Sequence, residues 1–169
     1  MLAGGHPNSL GRTVEVVDSV LDDQGRLREL LDCYRSADAV VRLRVSNALK
    51  RIQSAQHVWL VPYLDELIDD VGQLDQPSAQ WTLAQLFDRY RNELTAHQRG
   101  RALALMQRNL TTYDDWIVLN HTIETLSNWA LDEPRLRQWL RPHLERLATE
   151  PRKSVAGRAT KKLRLLYGS

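Results

Sequence analysis

The sequence predicts an all-α chain built as a solenoid, with about four stacked helix pairs behind one leading helix. Three observations predict it. Apolar residues recur at helical spacing along most of the chain, and no segment sustains the every-second-residue alternation of a half-buried strand. Turn and capping residues punctuate that pattern at regular intervals. Four helical windows, 41–52, 79–90, 118–129 and 155–166, align on one another at offsets of 38, 39 and 37 residues. A fixed period of this length with two helices per unit marks stacked helix pairs, none of which can hide its apolar face alone.

Taken in order, residues 1–12 (MLAGGHPNSLGR) read as a flexible N-terminus, and 13–169 as a single domain. The opening residues lack a basic stretch followed by an apolar one, so no secretory leader is expected. A leading helix covers 13–22 and Gly25 separates it from the first pair. Within the four aligned windows the first, fifth, ninth and twelfth positions form the core stripe: Val41, Val45, Leu49, Ile52; Ala79, Leu83, Phe87, Tyr90; Val118, Thr122, Leu126, Trp129; Val155, Ala159, Leu163, Leu166. Asp38, Asp75 with Pro77, Thr112 with Asp114 and Asp115, and Pro151 mark the starts of these helices, where a side-chain oxygen can accept free amide protons and a proline costs little. The first helix of each pair shows in two near-copies, WLVPYLDEL (59–67) and WLRPHLERL (139–147), 80 residues or about two periods apart. Pro62 and Pro142 either sit near a helix start or bend the first helix around its partner, since proline inside a helix costs about 3 kcal/mol.

Composition agrees with a globular chain, 43% hydrophobic and 26% charged. Its apolar runs fall far short of the ~20 residues of a membrane helix, so no membrane partner is expected. The single cysteine, Cys33, excludes an internal disulfide and fits a reducing cytoplasm. Charge is uneven: residues 1–134 carry 13 basic and 19 acidic side chains, residues 135–169 carry 10 basic and 2 acidic ones. Such asymmetry speaks to partners rather than to fold.

The stretch DAVVRLRVSNALKRI (38–52) resembles the second helix of a HEAT repeat, commonly written D-x-x-V-R-x-R-A-A-x-A-L-x-x-I. With LLDCYRSADAVVRLR, LVPYLDEL, QWTLAQL and RKSVAGRATKKL, the chain over roughly 13–167 is similar to compact bacterial HEAT-repeat proteins. The Val-Arg pair of the motif stands only at Val41-Arg42, becoming Ala79-Gln80, Val118-Leu119 and Val155-Ala156 in later units. The resemblance implies an armadillo-type, right-handed α-α superhelix and a scaffold that binds other proteins. It implies no particular activity.

In such solenoids the second helices line the concave face. Transferred to this chain, the exposed triplets are Leu43, Asn47, Lys50; Trp81, Gln85, Asp88; Asn120, Glu124, Ser127; and Gly157, Lys161, Arg164, each spaced i, i+4, i+7 on one helix face. The partner-binding candidates are Asn47, Trp81, Gln85, Asn120, Glu124, Lys161 and Arg164. Trp81 is either an exposed hot spot or packs against the neighbouring repeat. Arg44, His121 and Arg158, one residue on, are either hydrogen-bonding links between repeats or ligand contacts. A second candidate surface is the basic end, where Arg152, Lys153, Arg158 and Lys162 could hold an anion, with Lys161 and Arg164 beside them. It reads as a solvated cap, or as a site for nucleic acid, an acidic peptide or the chain's own acidic half. Neutralising about four phosphates would give a log–log salt slope near −3.6.

The sequence holds no glycine-rich phosphate loop and no Gly-x-Ser-x-Gly elbow. Its five histidines lack metal-ligand spacing, and Cys33 reads as a small buried hydrophobe. Trp116 and Asn120, with Asp114 and Asp115 on the preceding turn, resemble the site of HEAT-like alkylpurine DNA glycosylases, but Asn120 has no charge to stabilise a developing cation. HEAT-like subunits of bilin-attachment enzymes are a further precedent, without a bilin site here. The expectation is therefore a noncatalytic cytoplasmic scaffold that takes a protein or peptide, with no cofactor or metal. Nucleic-acid binding at the basic end is the alternative.

Overall fold

The structure, a computed structural model, describes residues 2–3 and 11–168. Among these the chain is helical throughout, with nine α-helices joined by turns and three 3-10 segments. None of the helices is long and apolar enough to cross a membrane. The chain divides into two compact units, Met1–Thr82 and Leu83–Ser169. The flexible segment expected over 1–12 falls mostly on residues outside the described ones. Leu2, which is described, is buried.

The first unit opens with α1 (Thr13–Asp22), which packs on α2 (Arg26–Asp32) and α3 (Ala39–Ala55). Asp38 starts α3 by accepting the Val40 amide proton at 2.8 Å, as its position ahead of the apolar stripe predicts. Arg44 of α3, only 1% exposed, donates to the Leu2 carbonyl at 2.5 Å. A 3-10 segment, His57–Tyr63, leads into the short α4 (Leu64–Asp69). Pro62 lies in that segment, so the α-helix proper begins only beyond it. The second near-copy behaves differently. Pro142 is the ninth residue of α8 (Pro134–Ala148), on the exposed side of an otherwise unbroken helix. Two similar sequences thus give one shortened helix and one full one.

Helix α5 (Pro77–Arg89) begins on its proline, whose missing amide proton costs nothing there. The division between units falls within it. In the second unit, α6 (Ala96–Thr112) starts with a reciprocal Thr95–Gln98 capping box. Helix α7 (Trp116–Ala130) starts on Asp115, whose carboxylate accepts from Ile117 and Val118. After α8 comes α9 (Lys153–Tyr167), ended by Gly168 in the left-handed conformation. Helix α7 packs against α6, α8 and α9, and α8 against α9.

The predicted stripes are the core. Fourteen of the sixteen positions are buried, from Val41 at 8% to Leu49, Phe87, Leu126 and Val155 at 0%, and only Leu163 and Leu166 of α9 stay half-exposed. The period of the sequence also reappears in polar links. Side chains cross between helices at separations of 34 to 41 residues: in the first unit Arg28 to Glu66 (38) and Arg42 to Gln76 (34), in the second Gln85 to His121 (36), Arg91 to Asp132 (41), Arg99 to Glu133 (34) and Arg152 to Asp114 (38). Within each unit, residues about one period apart are therefore spatial neighbours.

Candidate partner-binding strip on helices α5, α7 and α9

Helix α7 determines what the second unit can show on this side. Ten of its fifteen residues are buried, because neighbours cover it on several faces and a helix so surrounded must be apolar or satisfied nearly all round. What remains half-exposed is one narrow row, Ile117, His121, Glu124 and Asn128, spaced i, i+4, i+7, i+11. Two expected positions are corrected here. Asn120 is 7% exposed and Ser127 is fully buried. Asn120 is turned towards α9, where its amide donates to Ser154 at 3.4 Å and its carbonyl accepts from Arg158 at 3.1 Å. Two of the three positions read from α7 are one residue out of step, Asn120 for His121 and Ser127 for Asn128, because the buried arc is wider than a single stripe; Glu124 keeps its place in the row.

On α5, Gln85 and Asp88 are half-exposed and point at this row. Gln85 lies 2.9 Å from a ring nitrogen of His121, and Asn128 donates to Asp88 at 2.9 Å. Deeper in the unit, Thr125 donates to the Ala84 carbonyl at 2.8 Å and fixes the stagger of α7 against α5. Towards α9, Glu124 accepts from Arg158 at 2.7 Å and from Lys162 at 2.5 Å. His121 and Arg158 are thus both helix-to-helix links, the first of the two roles their positions allowed.

Two carboxylates here feel opposite fields. Burial pushes the Asp88 carboxyl above its ordinary value; the Asn128 hydrogen bond opposes this and the Glu124 charge adds to it. Burial would raise Glu124 too, but the hydrogen bond and charge of Lys162, then those of Arg158, hold it below the ordinary range. The raised Asp88 has a consequence for stability. A folded-state value above the unfolded one means that stability falls as pH rises through that raised value. Asp88→Asn, which keeps an acceptor for Asn128, is expected to be more stable than wild type at pH 7. That advantage should vanish in acid, where Asp88 is itself protonated; thermal melts across pH check this.

The other expected residues are scattered. Trp81, one turn before Gln85 on the same helix, is half-buried rather than fully displayed. Asn47 bonds back to the Leu43 carbonyl of its own helix at 3.2 Å. Trp116 is 51% exposed, whereas Asn120 is spent on α9. The basic end is smaller than its sequence suggests. Arg158 and Lys162 are paired with Glu124, and Arg152 with Glu150 at 2.9 Å and Asp114 at 3.0 Å. Lys153, Lys161 and Arg164 are exposed. Among the described residues no group of three or more His, Cys, Asp or Glu could hold a metal ion. Cys33 is half-buried, its thiol 3.3 Å from the Glu29 carbonyl and raised in pKa chiefly by burial.

Comparison with protein-family models, curated proteins and solved structures gave no match to this chain. Sequence reasoning missed Asn128 altogether; the signal was Asp88, 40 residues earlier and on the exposed row of α5.

Proposed function

We propose that the chain is a noncatalytic adaptor, a right-handed superhelix of HEAT-like helix pairs, that binds a protein or peptide along the α5–α7–α9 strip. One observation carries this reading: Gln85, Asp88, His121, Glu124, Asn128 and Arg158 are held half-exposed by bonds that link α5 to α7 and α7 to α9. Side chains fixed before binding lose little conformational entropy on binding, which favours recognition of an extended or helical segment by polar contacts. The one-period spacing of the links supports the HEAT-like part of the reading.

The test uses variants at groups whose loss leaves no buried charge. Gln85→Ala with His121→Ala should fold like wild type, by far-UV circular dichroism and melting. In affinity capture from lysate the double variant should hold the wild type's protein partner about tenfold or more weakly, and that partner should slow amide exchange in α5 and α7 of the wild type. Equal capture by both proteins contradicts the strip. Nucleic acid is the competing occupant. With three exposed cations in place of the larger cluster, its salt slope would be about −2.7, and a gel shift with that slope and no protein partner would favour it.

A further inference from the structure

Two helix faces lie outside the strip and complement each other in charge and in apolar content. On α9, Val155, Ala159 and the nearly buried Lys162 face inward. At about 100° per residue, Lys153, Gly157 and Arg164 point the opposite way, with Lys161 beside them. All four are exposed, and so is Leu165 at 57%. A side chain built at Gly157 would meet no atom within 4 Å, so this face is open to a close approach. On α1, Thr13, Val17 and Val20 face inward. Its outer row is Val14, 46% exposed, then Asp18 and the half-exposed Leu21, with Asp22 alongside. Glu15 is engaged by Arg12 at 2.6 Å and Asp23 by Arg26 at 3.6 Å. Among the described residues of this helix and its C-terminal turn, Asp18 and Asp22 are the acids left to an outside partner.

We propose that α9 of one copy docks on α1 of a second copy, head to tail, with Lys161 and Arg164 against Asp18 and Asp22 and Leu165 against the Val14–Leu21 row. The contact is heterologous, joining unlike surfaces of two identical chains. Its logic already exists inside the chain: α9 packs on α7 through cations of one helix and a carboxylate of the other. A basic face edged by one leucine, opposite an acidic face carrying two apolar residues, fits a second copy better than a polyanion, which would leave Val14, Leu21 and Leu165 in water. The association is weak and screened by salt, because most of its charges are exposed.

Charge reversal tests it on the intact chain. Sedimentation velocity at low salt should show wild-type mass rising above the 19.5 kDa of one chain with concentration, and falling back in high salt. Asp18→Lys with Asp22→Lys makes both faces basic; Lys161→Glu with Arg164→Glu makes both acidic. Each protein alone should associate about a hundredfold more weakly than wild type, since like charges then meet. Mixing the two restores opposite charges at both contacts and should restore association. All four positions are exposed, and circular dichroism confirms that the variants fold. A wild type that stays a single chain at low salt, association that survives either reversal, or a mixture that does not re-associate overturns the proposal. DNA binding lost with Lys161 and Arg164 in a chain that never self-associates would also overturn it. The partner strip stands apart, because Gln85→Ala with His121→Ala should leave self-association unchanged.

Discussion

Trp129→Ala is expected to lower the stability of the chain by about 3–5 kcal/mol, the cost of emptying a large, fully enclosed site. Trp129 has no exposed surface, and the Arg99 guanidinium lies 4.2 Å from its ring centre. Arg99 in turn reaches Glu133, 34 residues away. The truncation therefore removes core volume and the aromatic surface on which that link rests. Its indole nitrogen has no hydrogen-bond partner among the described residues. Trp129→Phe gives up ring volume but no hydrogen bond, so it should cost far less, about 1–2 kcal/mol. Urea denaturation, with the slope unchanged between variants, measures both. Equal losses for alanine and phenylalanine would mean that ring volume does not set the cost.

Glu124→Ala comes next in size. Lys162 is 5% exposed and sits against Glu124 at 2.5 Å. Removing the carboxylate leaves a nearly buried ammonium, and the Arg158 guanidinium, without their anion. Breaking a fully buried pair costs about 3–5 kcal/mol; Glu124 is 37% exposed, which brings the expected loss to about 2–3 kcal/mol. The pH dependence follows from the sign of the shift. The Glu124 carboxyl is held below its ordinary range, so its stabilisation is complete above about pH 4.3 and is lost as pH falls through the depressed value. The gap between wild type and Glu124→Ala should therefore be constant near neutrality and close in strong acid. Charge reversal at Glu124 is for the same reason a poor probe of binding, since it would unfold the strip rather than blunt it.

Much of the helical core was legible because its signal is local. Val41, Val45, Leu49 and Ile52 announce their face through spacing alone, and their equivalents in α5 and α7 are buried in the same order. Asp38 and Asp115 mark helix starts through the chemistry of a carboxylate ahead of an apolar run, and both accept amide protons as that chemistry demands. The site was less legible because it depends on neighbours. Which side of α7 stays open is decided by how many helices lean on it, and no periodicity within α7 reports that number. Asn120 and Glu124 share a face by spacing, yet one is buried and the other is not. Lys162 looked like part of a basic surface because its carboxylate lies 38 residues earlier. The two WLxP stretches looked alike, but only one holds a full α-helix through its proline.

Glu124 of α7 and Lys162 of α9, 38 residues apart in sequence, are neighbours across packed helices. A double-mutant cycle on Glu124 and Lys162 tests this most directly. Urea stabilities of wild type, Glu124→Ala, Lys162→Met and the double variant give the coupling between α7 and α9. Stacking in this register predicts a coupling of about 1–3 kcal/mol, with the double variant more stable than Glu124→Ala alone. Losses that simply add, within about 0.3 kcal/mol, would show that the two residues do not meet and would contradict the one-repeat register.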